Sequence, residues 1–249
     1  MYNTTGLSHR EGVKNEDVTV RILNEKKVYA ETVEKRGGTK VKEDAVAGTQ
    51  KISIKRKDGI TNGSFDWFNT SAYNRALGNT FDAFLSNMKE LRQLPESLRT
   101  DEEFVLKIRD NFNQLCENAL DSLQSDVIVK LLQRGLIDAN EGFDVVINDT
   151  KTSELYKFAA DQHPAVGYIA KGYSIVLKGS GKSSRMINFV DADGNVYDCG
   201  LRLRVTSNNG INAFLGTSKA NRNSQVVIKL QQDKVKQLLQ QMGTEATTY

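Results

Sequence analysis

Alternating and helical hydrophobic patterns divide the N-terminal part of the chain into one helix and three strands. From Arg10 to about Lys26 apolar residues recur at helical spacing, and Ser8 is placed to cap this helix. Three short stretches with extended or alternating character follow at 28–33, 42–47 and 51–57, with glycine-containing turns between them. The pattern therefore predicts the order helix, strand, strand, strand.

The middle of the chain has helical periodicity. After a predicted loop at 58–70, helices are predicted at 71–94 and from Asp101 to about Arg134, and Pro95 separates them. A strand is predicted at 143–147.

The last third of the chain is predominantly strand-like. Strands are predicted at 173–178, 186–191, 195–206 and 226–230, followed by a helix at 233–242 and a frayed tail at 243–249. The whole pattern predicts a mixed α/β or α+β fold. We expect one domain over 1–242, made of an N-terminal core (1–76), a helical block inserted at 77–161 and a strand-rich part (162–242).

Charge is distributed unevenly along the 249 residues. The formal net charge is only +3, but it comes from an excess of basic residues in 1–76 and 162–241 and an excess of acidic residues in 77–161. Two basic regions therefore flank an acidic helical block, which is the arrangement expected when basic surfaces meet a polyanion.

The scarce residue types exclude several kinds of chemistry. Cys116 and Cys199 are too few for a disulfide framework or a structural zinc site, and His9 and His163, expected at the surface, leave little imidazole for a catalytic triad. No signal-peptide core and no run of about 18 apolar residues is present. We expect a cytoplasmic protein with reduced thiols, whose catalysis would depend on carboxylates, lysine and a hard cation.

Two glycine-containing motifs are better explained as turns. Gly179-Ser-Gly-Lys-Ser183 resembles the end of a phosphate-binding loop, but Val176 stands where that motif needs glycine, and a strand-like run follows instead of a helix. Asp191-Ala-Asp-Gly-Asn195 lacks the glycine and glutamate positions of a calcium loop. Both segments are therefore predicted to connect strands.

A carboxylate and a lysine are brought together by the N-terminal strands. Asp44 lies on one short predicted strand, and Ser53 and Lys55 lie on the next, where alternation directs both side chains to one face. This set suits phosphodiester hydrolysis assisted by Mg²⁺, in which the carboxylate holds the metal and lysine orients or stabilises the attacking species. The main-chain carbonyl of Ile54 is a further candidate ligand.

These segments resemble the core of the PD-(D/E)XK nuclease superfamily, which includes many type II restriction endonucleases. The resemblance rests on Lys-Glu-Asp44-Ala-Val, a turn, and Ile-Ser53-Ile-Lys55-Arg-Lys, with Arg10-Glu-Gly-Val-Lys-Asn-Glu16 similar to the first helix of some of these enzymes. It implies a central mixed sheet flanked by helices. It also implies that Asp44 binds Mg²⁺, that Lys55 is the catalytic lysine, and that Glu16, with Glu11 as the alternative, completes the metal site.

The chain departs from the family pattern at one acidic position. Ser53 stands where the family has Asp or Glu, and Glu43 stands where it has Pro before the metal-binding Asp. Some members of the superfamily accept a neutral residue at the first of these positions, with the missing charge supplied from elsewhere. Ser53 is then a polar ligand or water anchor, and metal binding depends more strongly on Glu16.

Residues predicted to contact DNA lie next to the catalytic lysine and in the basic C-terminal part. Arginine and lysine bind phosphates or guanine edges, and asparagine can contact adenine. The candidates are Arg56, Lys57, Arg202, Arg204, Asn208, Asn209, Asn212, Lys219 and Arg222.

The leading hypothesis is a Mg²⁺-dependent endonuclease that cleaves double-stranded DNA, acting as a homodimer if its site is symmetric. One alternative is a nucleic-acid-binding protein without catalysis, in which the basic residues bind phosphates and Asp44 is structural. Another is an assembly protein, for example of a phage particle, with the helical block as its interface. An ordinary edge strand with a solvated basic face would also explain Ile52-Ser-Ile-Lys-Arg-Lys57.

Overall fold

The structure is a computed structural model that describes most of the chain. It describes residues 4–36, 43–57, 64–69, 74–91, 93–179, 181, 183–205, 225–230, 234, 237–238 and 243–249. The fold is mixed α+β, with a six-stranded sheet, a five-stranded sheet and five α-helices in this part of the chain.

The helices and strands alternate irregularly along the sequence. The helices are α1 (Thr4–Glu25), α2 (Asp82–Leu91), α3 (Glu102–Asp121), α4 (Ser125–Leu132) and α5 (Pro164–Ala170). The first six strands are β1 (Val33–Lys35), β2 (Ala45–Ala47), β3 (Gln50–Lys57), β4 (Ser64–Asn69), β5 (Phe143–Asp149) and β6 (Glu154–Ala159). The remaining strands are β7 (Ser174–Gly179), β8 (Ser184–Val190), β9 (Val196–Val205), β10 (Gln225–Leu230) and β11 (Ala246–Thr248).

The chain divides into two compact units, each built from separate segments. The first unit contains Met1–Ser64, Gln133–Gly172 and Leu230–Tyr249; the second contains Phe65–Leu132 and Tyr173–Lys229. The helical block and the basic C-terminal strands were predicted from the sequence as consecutive parts of the chain. In the structure, the helices up to Leu132 and most of these strands belong to the second unit. The N-terminal strands share the other unit with the segment after residue 132.

The first sheet is mixed and is built around β3. Its strand order is β1-β2-β3-β5-β6-β11, with β3 and β5 parallel and the other described pairs antiparallel. Ile52 and Ile54 of β3 pack with Val146 of β5 against Ile22 and Leu23 of α1. On the other face of β3, Ser53 and Lys55 are also buried, as is common for a strand inside a sheet that contains parallel pairing.

The second sheet has the order β4-β10-β9-β8-β7, in which β7, β8 and β9 are antiparallel neighbours. Its helices are attached at two points. Arg185 of β8, with 5% of its side chain exposed, forms ion pairs with Asp121 and Glu117 of α3, and the Ser125 hydroxyl of α4 accepts a hydrogen bond from the Ile175 N–H at 2.8 Å. The helices α3 and α4 of the helical block thus pack on this sheet.

Most predicted elements are present with shifted ends, but the strand at 28–33 was predicted wrongly. Lys27 adopts a positive φ of 51° at the end of α1, and the Val28 N–H then bonds to the Leu23 carbonyl at 3.0 Å. This turn brings Val28 and Tyr29 back against the core below α1. The strand begins only at Val33.

Four other predicted segments also differ from the structure. The helix predicted from Asp101 to about Arg134 is divided after Asp121 into α3 and α4. The predicted loop at 58–70 contains β4. Within the segment 71–94, the described helix is α2 (Asp82–Leu91), and it follows turns at Gly78 and Asn79 and a hydrogen bond from the Phe81 N–H to the Asn74 side chain. The predicted tail forms β11, which pairs with β6. The helix predicted at 233–242 lies largely outside the described residues.

The glycine-containing motifs are turns, as predicted. Gly179 ends β7 and Ser184 begins β8, its antiparallel neighbour, so no helix follows the lysine and serine of the motif. The segment 191–195 is closed by the Asp191 carboxylate, which accepts hydrogen bonds from the N–H groups of Asp193 and Asn195.

Candidate metal and nucleic-acid site

Asp44 lies at the end of the β2–β3 ladder. Its N–H donates to the Ile52 carbonyl at 3.0 Å, and its own carbonyl accepts from the Arg36 N–H at 3.0 Å. Its side chain continues the ladder, because Oδ2 accepts the N–H of Ile54 at 2.7 Å. Since that N–H lies in the plane of the sheet, the carboxylate is held along the edge of β3.

Ser53 and Lys55 share one face of β3, which we call the site face. The Ser53 hydroxyl is 3.5 Å from Oδ2 of Asp44, whose N–H bonds to the carbonyl of Ile52, the residue before Ser53. Lys55 follows two residues later on the same face. Ser53 is 3% exposed and Lys55 is 9% exposed, so these polar groups are set in a largely dry environment where electrostatic interactions are strong.

Glu16 is carried by α1, which packs on the face of β3 opposite to that of Ser53 and Lys55, and its charge interacts with that of Asp44. Its carboxylate lies 3.6 Å from Nζ of Lys35, which also pairs with Asp17 at 2.6 Å and donates to the Val13 carbonyl at 3.3 Å. Burial raises the pKa of Glu16, and the negative charge of Asp44 raises it further, while Lys35 lowers it. Glu16 and Asp44 are therefore two electrostatically coupled carboxylates supplied by different elements.

The Ile54 carbonyl faces the same edge as these carboxylates. In an extended strand the N–H and C=O of one residue point toward the same neighbouring strand. The Ile54 N–H points to Asp44, so its carbonyl is directed toward the side on which Asp44 lies. This carbonyl oxygen was predicted from the sequence as a candidate metal ligand, in addition to the carboxylates of Asp44 and Glu16.

These oxygens fit a hard divalent cation. Carboxylate and carbonyl oxygens are the preferred protein ligands of Mg²⁺, and Oδ1 of Asp44 takes part in none of the hydrogen bonds or ion pairs between described residues. No group of three or more His, Cys, Asp or Glu side chains suited to a metal occurs among the described residues. A metal here would therefore be held by Asp44, Glu16 and the Ile54 carbonyl, with Ser53 in place of a third carboxylate.

The two basic residues after Lys55 have different positions. Arg56 is half-buried and faces the opposite side of β3, in register with Asn148 of β5. Lys57 is in register with Asp149 of β5, and its side chain lies outside the described part of the structure.

Two buried polar residues at the end of β5 were missed from the sequence. Asn148 and Asp149 are both 0% exposed. Asp149 lies on the site face and accepts a hydrogen bond from the Lys151 N–H at 3.2 Å. One signal could have identified these two residues: they follow directly after the apolar run Val145–Ile147, on the strand next to the one that carries Lys55.

Asn148 connects the sheet to α1. Its amide donates to Oγ1 of Thr19 at 2.9 Å and to Oδ1 of Asn15 at 3.2 Å, while the Tyr249 hydroxyl donates to its Oδ1 at 2.7 Å. Asn15 precedes Glu16, so this buried network fixes the turn of α1 that carries the candidate ligand. The side chain of Glu11, the alternative ligand, lies outside the described part.

The predicted DNA contacts of the C-terminal part belong to the second unit. Arg202 and Arg204 are half-buried on one face of β9. The remaining five candidates, Asn208, Asn209, Asn212, Lys219 and Arg222, lie outside the described residues.

The rare residues are structural in the described part of the chain. His163 was predicted at the surface and is instead 2% exposed; its Nδ1 accepts the Ala165 N–H at the start of α5, and burial lowers its pKa to about 4. Cys116 and Cys199 are both buried and are not joined in a disulfide. A neutral, buried histidine leaves the carboxylates and lysines as the charged groups of the site.

The first unit also contains a cavity of about 500 Å³ near the start of β3 and β5. Its lining includes four carboxylates, at Asp138, Glu141, Asp144 and Asp161. Negative charge of this density repels phosphate, so the cavity is not suited to a nucleic-acid backbone.

No protein-family model, curated protein or solved structure matches this chain. In the described part of the chain, no helix combines the length and apolar character needed to cross a membrane.

Proposed function

We propose that the chain is a Mg²⁺-dependent endonuclease acting on double-stranded DNA, with a fold of the restriction-endonuclease kind. The observation that carries this proposal is the position of the Asp44 carboxylate beside the Ile54 N–H and the Ser53 hydroxyl, since Ser53 shares one face of β3 with Lys55. Glu16 adds the second carboxylate through its coupling to Asp44.

The roles of the residues follow from their charge and position. Asp44, Glu16 and the Ile54 carbonyl would hold Mg²⁺, which polarises the scissile phosphate and lowers the pKa of a bound water when present. Lys55 is buried on the same face of β3 as Ser53, and it would orient the attacking water and stabilise negative charge on the phosphate. Ser53 provides a hydroxyl next to Asp44 that anchors water.

Lys35 supports the site in the absence of metal. Its ammonium balances Glu16 and Asp17, and so reduces repulsion between Glu16 and Asp44. A cation bound by the two carboxylates would take over this function.

The experiment is plasmid cleavage with and without Mg²⁺, comparing wild type with Asp44→Asn and Lys55→Gln. Asn keeps an oxygen that can accept the Ile54 N–H, so this variant removes charge more than structure. Both variants should lose cleavage by more than about 100-fold, beyond the effect of losing an outer-shell partner. Lys51→Gln is the matched control, since Lys51 lies on the same strand and packs over the Phe143 ring; it should cleave normally.

Cleavage that is unchanged in folded Asp44→Asn or Lys55→Gln protein would refute this site. Cleavage of duplex DNA at a symmetric sequence would further imply a homodimer. Light scattering with and without DNA would measure this oligomeric state. We propose that the enzyme works in the cytoplasm.

A second candidate is a nucleic-acid-binding protein without catalysis. Ser53 in place of a third carboxylate and the arginines on β9 favour it. Salt-dependent DNA binding with no cleavage at any Mg²⁺ concentration would select this function. Large stable oligomers indifferent to DNA would instead indicate an assembly protein.

A further inference from the structure

A group of cations lies on one face of the second sheet. Arg202 and Arg204 are two residues apart on β9, so both project from the same face. Lys229 lies on β10, the neighbour of β9, and Lys178 of β7 lies in register with Met186, which in turn is in register with Arg202. We call Arg202, Arg204 and Lys229 the cation cluster, with Lys178 at its margin.

This face is the one opposite the helices. Arg185 of β8, which binds α3, is in register with Leu203, and both project from the helix-covered face. Arg202 and Arg204 alternate with Leu203 and therefore project away from α3. The acidic helical block thus leaves this side of the sheet basic.

The cations of the cluster lie close enough to repel one another. Burial and the charges of Arg204 and Arg202 lower the pKa of Lys229 to about 8, and burial together with Arg204 lowers the pKa of Arg202. Within the described part of the chain, no carboxylate forms an ion pair with any of the three, and Nε of Arg202 is buried without a hydrogen-bond partner.

Half-buried cations that repel each other are costly to keep together. An anion with several charges removes this cost, because it neutralises more than one of them. Residues two apart on a strand are separated by about 6.6 Å, and successive phosphates along one nucleic-acid strand are separated by a similar distance. Guanidinium groups also form two-point hydrogen bonds to phosphate.

We propose that the cation cluster of β9 and β10 is a binding site for the phosphate backbone of nucleic acid. It adds Lys229 to the candidate contacts and assigns Arg202 and Arg204 to backbone binding instead of base recognition. This inference rests on the proposed nuclease function, because the cluster would hold the DNA that the enzyme cleaves. Binding of DNA to the cluster can nevertheless be measured without cleavage.

The test is fluorescence anisotropy of a labelled 20-base-pair duplex in EDTA, so that cleavage cannot contribute. Arg202→Gln, Arg204→Gln and Lys229→Gln should each weaken binding by roughly fivefold to tenfold at 0.1 M salt, with a similar effect for unrelated sequences. Each should also reduce the slope of log affinity against log salt by about 1. Lys89→Gln, an exposed charge on α2 of the same unit, is the matched control and should bind as wild type does.

Several results would overturn the proposal. One is wild-type affinity in the three variants; another is a large loss of stability in the variants with unchanged DNA binding, which would mark the cluster as part of an internal ion pair. Wild-type protein that binds vesicles rich in phosphatidylserine but no DNA would assign the face to a membrane instead.

The same experiment separates this site from the nuclease proposal. DNA binding that depends on the cluster, in a protein that never cleaves, would keep the cluster and remove the nuclease. Cleavage that depends on Asp44, with normal binding in the cluster variants, would do the reverse.

Discussion

The carboxylate of Asp44 takes the place of a backbone carbonyl opposite Ile54. Its Oδ2 accepts the Ile54 N–H at 2.7 Å, at the point where the regular pairing of β2 with β3 has ended. One oxygen of the side chain is therefore fixed by the sheet, and the carboxylate can be oriented without using Oδ1. The carboxylate of Asp44 is therefore well oriented for binding a metal, since the backbone N–H of a strand holds it in place instead of a flexible side chain.

Ser53→Asp tests whether the site can accept a third carboxylate. The new charge would be buried close to Asp44, and like charges at this separation repel by up to about 4 kcal/mol at an effective dielectric constant of 20. We therefore expect a lower melting temperature than wild type in EDTA, and a larger increase when Mg²⁺ is added, because a cation bound only by the folded state stabilises it. Differential scanning fluorimetry with and without Mg²⁺ measures both changes.

The control is Ser53→Asn, which adds similar volume without charge. It should be destabilised by packing alone and should gain no extra stability from Mg²⁺. Equal Mg²⁺ responses in wild type, Ser53→Asp and Ser53→Asn would argue against a cation at this edge.

Glu16 should make stability depend on pH in a way that Glu16→Gln does not. Its pKa is raised in the folded protein from a value of 4.5, so the folded state binds the proton more tightly than the unfolded state does. The contribution to stability is then full below about pH 4.5 and is lost as the pH rises through the raised pKa. Glu16→Gln should therefore gain stability relative to wild type over this rise and keep the gain at pH 7.

Urea unfolding in EDTA at a series of pH values from 4 to 7 measures this difference. In an Asp44→Asn background the pH-dependent part should shrink, because one cause of the raised pKa has been removed. A pH-independent difference between Glu16→Gln and wild type would mean that Glu16 and Asp44 are not coupled. In the nuclease, cleavage should increase as Glu16 loses its proton, since the carboxylate form binds the metal.

The sequence contained more information about the strands of the site than about their relationship to α1. β3 was predicted because Ile52 and Ile54 alternate with polar residues, and this local pattern also places Ser53 and Lys55 on one face. The closeness of Glu16 to Asp44 depends on how α1 packs on the sheet, and no spacing along the chain encodes that packing. Only the resemblance to a nuclease motif suggested it.

The errors in the fold have a similar origin. β11 consists of three residues with two threonines and has no strong pattern of its own; it is a strand because β6, far away in the chain, offers an edge to pair with. The false strand at 28–33 has a suitable alternation, but the positive φ of Lys27 turns the chain back onto α1. In both cases tertiary contacts outweighed the local pattern.

Tyr249→Phe should destabilise the first unit through Asn148. The change removes the hydroxyl that donates to the buried Oδ1 of Asn148 at 2.7 Å, and an unsatisfied buried acceptor costs about 1–3 kcal/mol. Asn148→Ala should cost more, because it also removes the hydrogen bonds to Thr19 and Asn15. Chemical denaturation gives both values.

Because the two residues share one network, the double variant should lose less than the sum of the single variants. Strict additivity would show that the hydrogen bond contributes nothing. In a cleaving protein, Asn148→Ala should reduce the apparent affinity for Mg²⁺, since the turn of α1 that carries Glu16 is no longer held to β5.

Arg185→Leu should destabilise the second unit and change its response to acid. The guanidinium binds both oxygens of Asp121, at 2.6 and 2.8 Å, and lies 3.2 Å from Glu117. The arginine is buried, but the Asp121 side chain is 55% exposed and can be hydrated again when its partner is removed. We therefore expect a loss of about 1–3 kcal/mol, less than the 3–5 kcal/mol typical when a charge is left buried alone.

The acid response follows from Asp121, whose pKa is lowered mainly by its hydrogen bonds to Arg185. The stability that this pair provides is present above pH 3.8 and is lost as the pH falls through the lowered pKa of the folded state. In Arg185→Leu this part of acid destabilisation should be absent, so the stabilities of variant and wild type should converge below pH 3.8. Lys107→Leu, which removes an exposed partner of Glu103 on the same helix, is the control, with an expected change within about 0.5 kcal/mol; an equal loss in both variants would show that Arg185 does not hold α3 to the sheet.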